Sequence, residues 1–284
     1  MESALGLPAP AKLNLFLHVT GRRADGYHTL QTAFQLIDLA DWLDFERRSD
    51  GQIVRTGDLR WDASEDLVVR AARALQQVTG CRLGASIHVT KNIPTGSGMG
   101  GGSSDAATAL IALNRLWGLG LARTELAAIA LPLGADVPFF LHGGNAFAEG
   151  VGEELHAVAT PPAWYTVIWP QVHVSTREIF SDPGLTRNTK PTKIADFSAA
   201  VGLLPQTLFG ANDLEPVARR RFPEIEQALA HLQRHGPARM TGSGSAVFAP
   251  MASSDAAQGA VAGCTTRWQR WAVRGLSEHP LAAW

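Results

Sequence analysis

Residues 94–104 read Pro94-Thr-Gly-Ser-Gly-Met-Gly-Gly-Gly-Ser-Ser104, and they lead directly into an Ala- and Leu-rich segment that ends at Trp117. Five of the seven positions from Gly96 to Gly102 are glycine. Ordering such a run costs a large amount of backbone entropy, so it requires a function that uses the backbone itself. Before it, residues 85–90 alternate as a strand does, and after it the spacing of apolar residues predicts a helix.

A glycine run between a strand and a helix favours an anion-binding site. Successive N–H groups without neighbouring Cβ atoms can curl around a phosphate, and the following helix adds free N–H groups and the positive end of its dipole. A flexible surface loop is the alternative, and the flanking strand and helix argue against it. The predicted phosphate-binding residues are Pro94, Thr95, Gly96, Ser97, Gly98, Met99, Gly100, Gly101, Gly102, Ser103 and Ser104.

Other well-known nucleotide loops fit this run poorly. A Walker A loop requires a lysine after the second glycine of its GxxxxG spacing, but Gly102 stands there. The GxGxxG spacing of dinucleotide-binding folds occurs from Gly96 to Gly101, but positions 114–118 carry no acidic residue for the ribose. The HRD and DFG motifs of protein kinases do not occur. An NAD-binding oxidoreductase therefore remains only as a weaker alternative.

Composition limits the classes of partner. The chain has 284 residues, 45% of them hydrophobic, which is enough for one large domain or two lobes. Its 25 basic and 26 acidic residues give a formal net charge of −1, so no global field attracts nucleic acid or an anionic membrane. We find no signal-peptide pattern and no apolar span of about 18 residues. Two distant cysteines indicate neither a zinc site nor a disulfide framework, and we expect a cytoplasmic protein.

The periodicity of the chain predicts an α+β architecture, because strand and helix patterns mix without a regular βαβ rhythm. Strand patterns lie at 11–19, 85–90, 145–149, 164–169 and 271–276, and helical patterns at 62–78, 105–117, 123–131, 213–235 and 253–264. Pro161-Pro162 predicts a linker between two parts. We therefore expect an N-terminal, ATP-binding lobe at residues 1–158 and a C-terminal lobe at residues 159–284.

Several strings along the chain resemble the motifs of the GHMP kinase family. They are Pro10-Ala-Lys-Leu-Asn14, Arg23-Ala-Asp-Gly-Tyr-His28, the run from Ile93 to Ala107, Leu133-Gly-Ala-Asp-Val-Pro138, Ala148-Glu-Gly-Val-Gly-Glu153, Asn212-Asp-Leu-Glu215 and Met240-Thr-Gly-Ser-Gly-Ser245. They occur in the family's order and span nearly the whole chain, which makes the resemblance specific. Some positions depart from the family pattern. Thr95, Ser97 and Met99 stand where the family often has Met, Ala and Leu, all small or apolar changes, and Asp66 stands where an asparagine is common.

The resemblance implies the two-lobed GHMP-kinase α+β fold, with the active site in the cleft between the lobes. It implies transfer of the γ-phosphate of ATP to an alcohol, with Mg²⁺ accompanying the nucleotide. The Asp-Gly-Tyr-His string is typical of the branch that phosphorylates the 2-hydroxyl of a cytidine-diphosphate-linked methylerythritol in non-mevalonate isoprenoid biosynthesis. Homoserine and mevalonate kinases of the family are the alternatives. We expect this small-molecule substrate, no nucleic-acid or membrane partner, and a monomer or weak homodimer.

For catalysis, the resemblance implies Asp136 as general base and Lys12 as its electrostatic partner. From the residues alone, Asp136 could equally cap a helix that begins at Val137, and Lys12 could be an edge or snorkelling side chain. The resemblance places the two side chains together, so that the ammonium keeps the carboxylate ionised. Asn14 points to the same face of its strand as Lys12 and is a candidate substrate contact.

For the cytosine, the resemblance implies stacking on Tyr27, a hydrogen bond from His28, and Phe180 on the opposite ring face. The assignment of Phe180 rests on the short string Thr176-Arg-Glu-Ile-Phe180. Asp66 is expected on the adenine side of the ATP site.

Overall fold

Two long strands at the N-terminus carry much of the larger sheet. In the computed structural model, which describes residues 1–58 and 66–284, β1 (Ser3–Arg22) and β2 (His28–Arg48) pair antiparallel along nearly their whole length. The register shifts at several points, for example between Pro10 and Ala11 and between Asn14 and Phe16. Each shift interrupts the alternation of faces, which explains why the pattern predicted only residues 11–19 of β1.

The larger sheet also contains β3 (Ile53–Gly57), β4 (Gly84–Thr90), β5 (Ala146–Glu149) and β6 (Glu154–Ala157). The C-terminal part of β2 pairs with β4, and its N-terminal part pairs with β5. β3 continues the sheet beyond β4, and β6 continues it beyond β5. β3 and β4 are parallel, and the other pairs are antiparallel.

One central helix fixes the position of the glycine run against this sheet. α2 (Gly101–Leu116) packs directly on β1 and β2, and α1 (Leu67–Thr79), α3 (Arg123–Ala130) and α4 (Val137–His142) pack against α2. Every residue of α2 from Ser104 to Leu113 is buried. The helix predicted at 62–78 begins at Leu67 after the N-cap Asp66, and the predicted part at 62–65 lies outside the described residues.

The smaller sheet is formed by the C-terminal part of the chain. Its strands are β7 (Trp164–Trp169), β8 (Arg239–Met240), β9 (Val247–Met251) and β10 (Gln269–Arg274), in the order β10-β7-β9-β8. The helices of this part are α5 (Thr176–Ser181), α6 (Ile194–Val201), α7 (Glu215–Arg221), α8 (Pro223–Leu232) and α9 (Ser254–Ala262). The helical pattern at 213–235 divides at Phe222, because Pro223 has no N–H to continue α7 and instead starts α8.

Aromatic side chains from both sheets and from α6 meet in one buried cluster, which we call the shared aromatic core: Phe16, Phe147, Tyr165, Phe197 and Phe248. The ring of Phe16 lies 5.6 Å from that of Phe147 and 5.7 Å from that of Phe197, measured between centroids. Tyr165 on β7 contacts Phe248 on β9 at 6.0 Å. All five side chains are fully buried, so the two sheets have a common apolar interior.

The mixed helices and sheets confirm the predicted α+β architecture. The lobe boundary after residue 158 stays a prediction. Within the described part of the chain, none of the helices combines the length and the hydropathy that crossing a bilayer requires. Cys81 and Cys264 are both free thiols.

Candidate active site

The glycine loop, residues 94–104, has a backbone conformation that side chains would disturb. Gly96, Gly98 and Gly100 have φ angles of +71°, +80° and +75°, in the left-handed region that favours glycine. α2 begins at the next residue, Gly101, with its free N–H groups at the end of the loop. A Cβ atom on Gly100 would lie 3.0 Å from Phe140 and 3.2 Å from Lys12. The loop therefore has the form of an anion cradle at a helix N-terminus.

A second glycine-rich segment, Thr241 to Ser245, packs directly against this loop. A Cβ atom on Gly98 would lie only 2.3 Å from the carbonyl oxygen of Thr241. A Cβ atom on Gly242 would lie 2.9 Å from the carbonyl oxygen of Gly98, and Ala246 N donates to Ser97 O at 2.9 Å. Backbone contacts therefore join the N-terminal part of the chain to the C-terminal part at this point. Apart from the family resemblance, sequence reasoning assigned this segment no role. The signal that could have found it is the pair Gly242 and Gly244, shortly before β9.

Two cavities meet at the glycine loop. The first, of about 410 Å³, extends from the loop toward Arg55, Asp66, Lys91 and Asp105. The second, of about 980 Å³, extends the other way and is lined by Lys12, Asn14, Tyr27, His28, Asp136 and Phe180, together with residues of the Thr241–Ser245 segment. Gly96, Gly98, Gly100 and Ser103 line both. A phosphate chain bound along the loop would thus pass from one cavity to the other.

Asp136 stands immediately before α4, and its side chain faces Lys12. It occupies the N-cap position, but with helical backbone angles (φ −82°, ψ −14°), and its carboxylate makes no capping hydrogen bond within the described part of the chain. The structure therefore does not support capping as the role of Asp136. Its Oδ2 lies 3.4 Å from Lys12 Nζ, and 36% of the side chain is exposed to the cavity. A carboxylate that is both accessible and next to a cation suits a general base.

Lys12 is buried, with only 3% of the residue exposed, and several contacts hold its side chain in place. Its Nζ donates to Asn14 Oδ1 at 2.6 Å and lies 5.1 Å from the centre of the Phe34 ring. Its backbone N–H donates to Met99 O at 3.0 Å, which ties β1 to the glycine loop. Because the ammonium is buried, the structure excludes a snorkelling position for Lys12, although among the described strands β1 pairs with β2 alone, and the side chain lines the larger cavity beside Gly100.

Asn14 orients Lys12 and is itself part of a hydrogen-bond network. Its Oδ1 accepts from Lys12 Nζ and from Thr241 Oγ1 at 3.2 Å, and its Nδ2 donates to Thr32 Oγ1 at 2.9 Å. The residue is 2% exposed but lines the larger cavity. Because an amide nitrogen carries two hydrogens, one of them is still available for a substrate hydroxyl.

The residues predicted to bind the cytosine, Tyr27, His28 and Phe180, also line the larger cavity. The rings of His28 and Phe180 are 5.0 Å apart with an interplanar angle of 31°, and Tyr27 is 66% exposed on the neighbouring turn. His28 Nε2 accepts a hydrogen bond from Arg187 Nε at 3.0 Å. Burial, together with the charges of Arg187 and Arg22, lowers the pKa of His28. The structure thus brings Tyr27, His28 and Phe180 to one cavity, and it adds Arg187, for which the sequence provided no signal.

The smaller cavity contains paired charges. Asp66 caps α1 through a hydrogen bond from Val68 N at 2.8 Å, and its second oxygen lies 3.2 Å from Arg55 Nε. Asp66, in place of the more common asparagine, is thus paired with a buried cation. Deeper in the cavity, Lys91 Nζ donates to Asp105 Oδ2 at 2.6 Å and also to Asp41. Burial raises the pKa of Asp105, and the Lys91 ammonium opposes that shift.

A magnesium ion would fit this site only with few protein ligands. Among residues 1–58 and 66–284, no group of three His, Cys, Asp or Glu side chains is arranged to hold a metal. Mg²⁺ keeps several waters and binds largely through phosphates in such sites, so this donor set suits an ion that arrives with the nucleotide. The residues that would place it are therefore those of the glycine loop, Ser103 among them, which are predicted to bind the phosphates.

Two family models match the chain. The model described as GHMP kinases N terminal domain matches residues 66–144, and the model described as GHMP kinases C terminal matches residues 198–270. The first segment contains the glycine loop and Asp136, and the second contains the Thr241–Ser245 segment.

Curated relatives match over nearly the whole length. The 4-diphosphocytidyl-2-C-methyl-D-erythritol kinase of Ralstonia nicotianae is 58% identical over 277 residues, which cover 97% of this chain and 95% of that protein. The protein of the same name from Aromatoleum aromaticum is 57% identical, with 98% and 95% covered. Many further relatives match as well.

Solved structures agree with the sequence matches. A crystal structure of a 4-(cytidine 5'-diphospho)-2C-methyl-D-erythritol kinase has a TM-score of 0.83 and 36% identity, and the match covers 96% of this chain and 98% of that one. A homoserine kinase from Cytophaga hutchinsonii has a TM-score of 0.73 at 18% identity, which shows a likeness of fold alone. The predicted GHMP-kinase fold is confirmed. This chain belongs to the GHMP kinases and, within them, to the family of the 4-diphosphocytidyl-2-C-methyl-D-erythritol kinases.

Proposed function

We propose that the chain phosphorylates the 2-hydroxyl of 4-diphosphocytidyl-2-C-methyl-D-erythritol with ATP, a step of non-mevalonate isoprenoid biosynthesis. The observation that supports this most directly is the Lys12–Asp136 pair, which lies where two cavities meet at the glycine loop. One cavity is suited to a nucleotide and the other to an elongated second substrate. Direct transfer between two bound molecules needs such a junction, because the attacking oxygen and the phosphorus must be held in line.

The glycine loop and the N-terminus of α2 would bind the phosphates of ATP. Free backbone N–H groups at the start of α2 would donate to the phosphates, and Ser103, which lines both cavities, would add a hydroxyl. Mg²⁺ bound through the phosphates would neutralise part of the charge of the transferring group. The adenosine would lie in the smaller cavity, beside Asp66 and Lys91.

Asp136 would act as the general base. Its carboxylate takes the proton of the substrate hydroxyl as the oxygen forms a bond to the γ-phosphorus, and the bond from that phosphorus to the bridging oxygen of ADP breaks. Lys12, whose Nζ lies 3.4 Å from Asp136 Oδ2, stabilises the negative charge that develops on the attacking oxygen. Asn14 holds Lys12 at that point through the 2.6 Å hydrogen bond.

The cytidine end would be bound about the Tyr27 turn. Tyr27 and Phe180 offer ring faces for stacking, and His28 offers a hydrogen bond to the base edge. Phosphoryl transfer, the chemistry that GHMP kinases share, does not involve the cytidine end of the substrate. The binding energy of the cytidine can therefore be used to position the reacting hydroxyl.

A substrate panel tests the proposal. ADP release would be measured with 4-diphosphocytidyl-2-C-methyl-D-erythritol, homoserine and mevalonate, on the wild type and on Lys12→Met. We expect turnover of the cytidine compound alone, and a severe loss in the variant. Turnover of homoserine or mevalonate in preference to the cytidine compound would refute the proposal and favour another GHMP activity.

A further inference from the structure

Arg187 lies in the segment that follows α5 and is fixed in place by its own hydrogen bonds. Its Nη2 donates to the carbonyl oxygens of Phe180 at 2.9 Å and Asp182 at 2.8 Å, and its Nη1 donates to that of Leu185 at 3.1 Å. The Nε atom donates to His28 Nε2 at 3.0 Å. The guanidinium therefore presents one particular N–H to the imidazole and cannot easily turn away.

This contact determines which nitrogen of His28 carries the proton. A guanidinium has donors only, so Nε2 of His28 must offer a lone pair, and a neutral ring must then carry its hydrogen on Nδ1. The charged groups that face the ring in the described residues are Arg187 and Arg22, while α5 contributes the uncharged Phe180 ring. Both cations disfavour a second proton on His28. The ring is thus held neutral, with Nδ1–H as its remaining hydrogen-bonding group.

A fixed donor at this point can distinguish two pyrimidines that stack equally well. Cytosine has an acceptor at N3, whereas uracil has an N–H there. A donor that faces N3 forms a hydrogen bond with cytosine, whereas with uracil two donors oppose each other and the hydrogen bond is lost. An imidazole free to exchange tautomers could present its lone pair to uracil instead, and the distinction would weaken.

We propose that Arg187 is a positioning residue that holds His28 as the Nδ1–H tautomer, and that this donor selects cytosine over uracil. The selection rests on the proposed function, since it concerns the base of the proposed substrate. The tautomer itself does not, because it is a property of the free protein.

The first test reads the tautomer directly. Two-bond ¹H–¹⁵N correlation spectra of ¹⁵N-histidine-labelled protein distinguish the two nitrogens, and the His28 signals are assigned by their loss in His28→Gln. We expect Nε2 with the shift of an unprotonated nitrogen and Nδ1 with that of an N–H. Arg187→Met should give averaged shifts and a His28 that titrates at higher pH, whereas Arg187→Lys, which keeps a donor-only group, should restore part of the wild-type pattern. A wild-type ring protonated on Nε2 overturns the proposal.

The second test measures selectivity. Calorimetry of CDP and UDP binding gives a ratio of Kd values, which we expect to fall by about tenfold or more in Arg187→Met. Arg22→Met is the matched control, because it removes a cation near His28 that makes no hydrogen bond to the ring; it should weaken both diphosphates alike and leave the ratio unchanged. An Arg187→Met variant with averaged tautomers and an unchanged ratio overturns the proposal, as does an equal loss of ratio in Arg22→Met.

These tests separate the inference from the proposed function. If the wild type fails to turn over the cytidine substrate, the proposed function fails while the tautomer and the CDP-to-UDP ratio are still measured. If Arg187→Met does not fold, the wild-type spectrum still decides, since Nδ1–H supports the proposal and Nε2–H refutes it.

Discussion

Lys12 Nζ lies 3.4 Å from Asp136 Oδ2, with the lysine side chain 4% exposed and the aspartate side chain 36% exposed. The pair is therefore asymmetric. The ammonium is fixed from behind by Asn14, while the carboxylate remains open to the cleft. Asp136 can accept a proton from an incoming hydroxyl without any movement of the cation that stabilises the product of that step.

Replacement of Asp136 tests its proposed role as the general base. Asp136→Asn preserves shape but cannot take up the hydroxyl proton, so we expect kcat to fall by about 10²–10⁴-fold while the Kd for ATP changes little. Single-turnover kinetics and ATP calorimetry would separate the two effects. Asp255→Asn, at an exposed position of α9, is the control. Turnover close to wild type in purified Asp136→Asn would show that another group accepts the proton.

The exposed tyrosine of the cytidine end should act on both pyrimidines. Tyr27 is 66% exposed, so its removal leaves the fold intact and deletes one stacking face, worth about 1–3 kcal/mol. Tyr27→Ala should therefore lower kcat/KM for the cytidine substrate and its uridine analogue by a similar factor. Steady-state kinetics with both compounds provides the measurement. A fall in kcat/KM for only one of the two compounds would mean that Tyr27 also forms a hydrogen bond with the edge of the base.

The contact between the two glycine-rich segments should tolerate no side chain. Gly98→Ala places a methyl group 2.3 Å from Thr241 O and forces an L-residue to a φ near +80°, so we expect a loss of about 2–3 kcal/mol in unfolding free energy. Gly102→Ala is the control, because its Cβ would meet Leu67 at an ordinary 3.5 Å. Thermal denaturation compares the two variants. Equal melting temperatures would contradict the close packing described for Gly98.

The ion pair of the smaller cavity should behave as a unit. Asp66→Asn retains the cap of α1 but removes the charge opposite Arg55, whose side chain is 2% exposed. We expect a loss of about 3 kcal/mol in stability, much of it recovered when Arg55→Met is added, because a buried charge without its counter-charge is the costly state. Urea denaturation of the two single variants and the double variant gives a double-mutant cycle, which measures the coupling between the two charges. Additive losses would show that the two charges are not coupled.

A buried histidine near the C-terminus should make stability depend on pH. Burial and the charge of Arg123 lower the pKa of His279 from 6.5 to about 4. The unfolded chain takes up a proton near pH 6.5, whereas the native ring does so only near pH 4. This contribution to stability is therefore complete above pH 6.5 and declines by about 3 kcal/mol as the pH falls to 4.

His279→Gln should flatten the stability curve in this window. Urea midpoints measured from pH 7 to pH 4 provide the comparison, with His235→Gln, at an exposed position, as the control. An unchanged slope in His279→Gln would assign the pH dependence to other groups.

Local signals in the sequence were sufficient for some elements. The glycine content and the helical period located the loop and α2, and Pro223 marked the break between α7 and α8. β2 carried no such signal. Its residues from Gln31 to Ile37 are all buried, including polar Gln31, Thr32 and Gln35, so the alternation that predicts a half-buried strand is missing.

The site depended on contacts that no local pattern reveals. Lys12 and Asp136 are far apart in the chain, and only the family resemblance joined them before the structure did. Arg187 reaches His28 across 159 positions, and no motif or periodicity in the sequence distinguishes Arg187 from other arginines. Such pairs follow from tertiary packing, which propensity and periodicity do not encode.

The shared aromatic core has a consequence for how the molecule comes apart. Because Phe16 and Phe147 from the larger sheet interlock with Tyr165, Phe197 and Phe248 from the rest of the chain, neither sheet can melt without exposing apolar surface of the other. β1 also carries Lys12 and Asn14 only a few residues before Phe16. Loss of the catalytic arrangement and loss of the interior should therefore coincide in a single cooperative transition, rather than in the stepwise melting of two independent units.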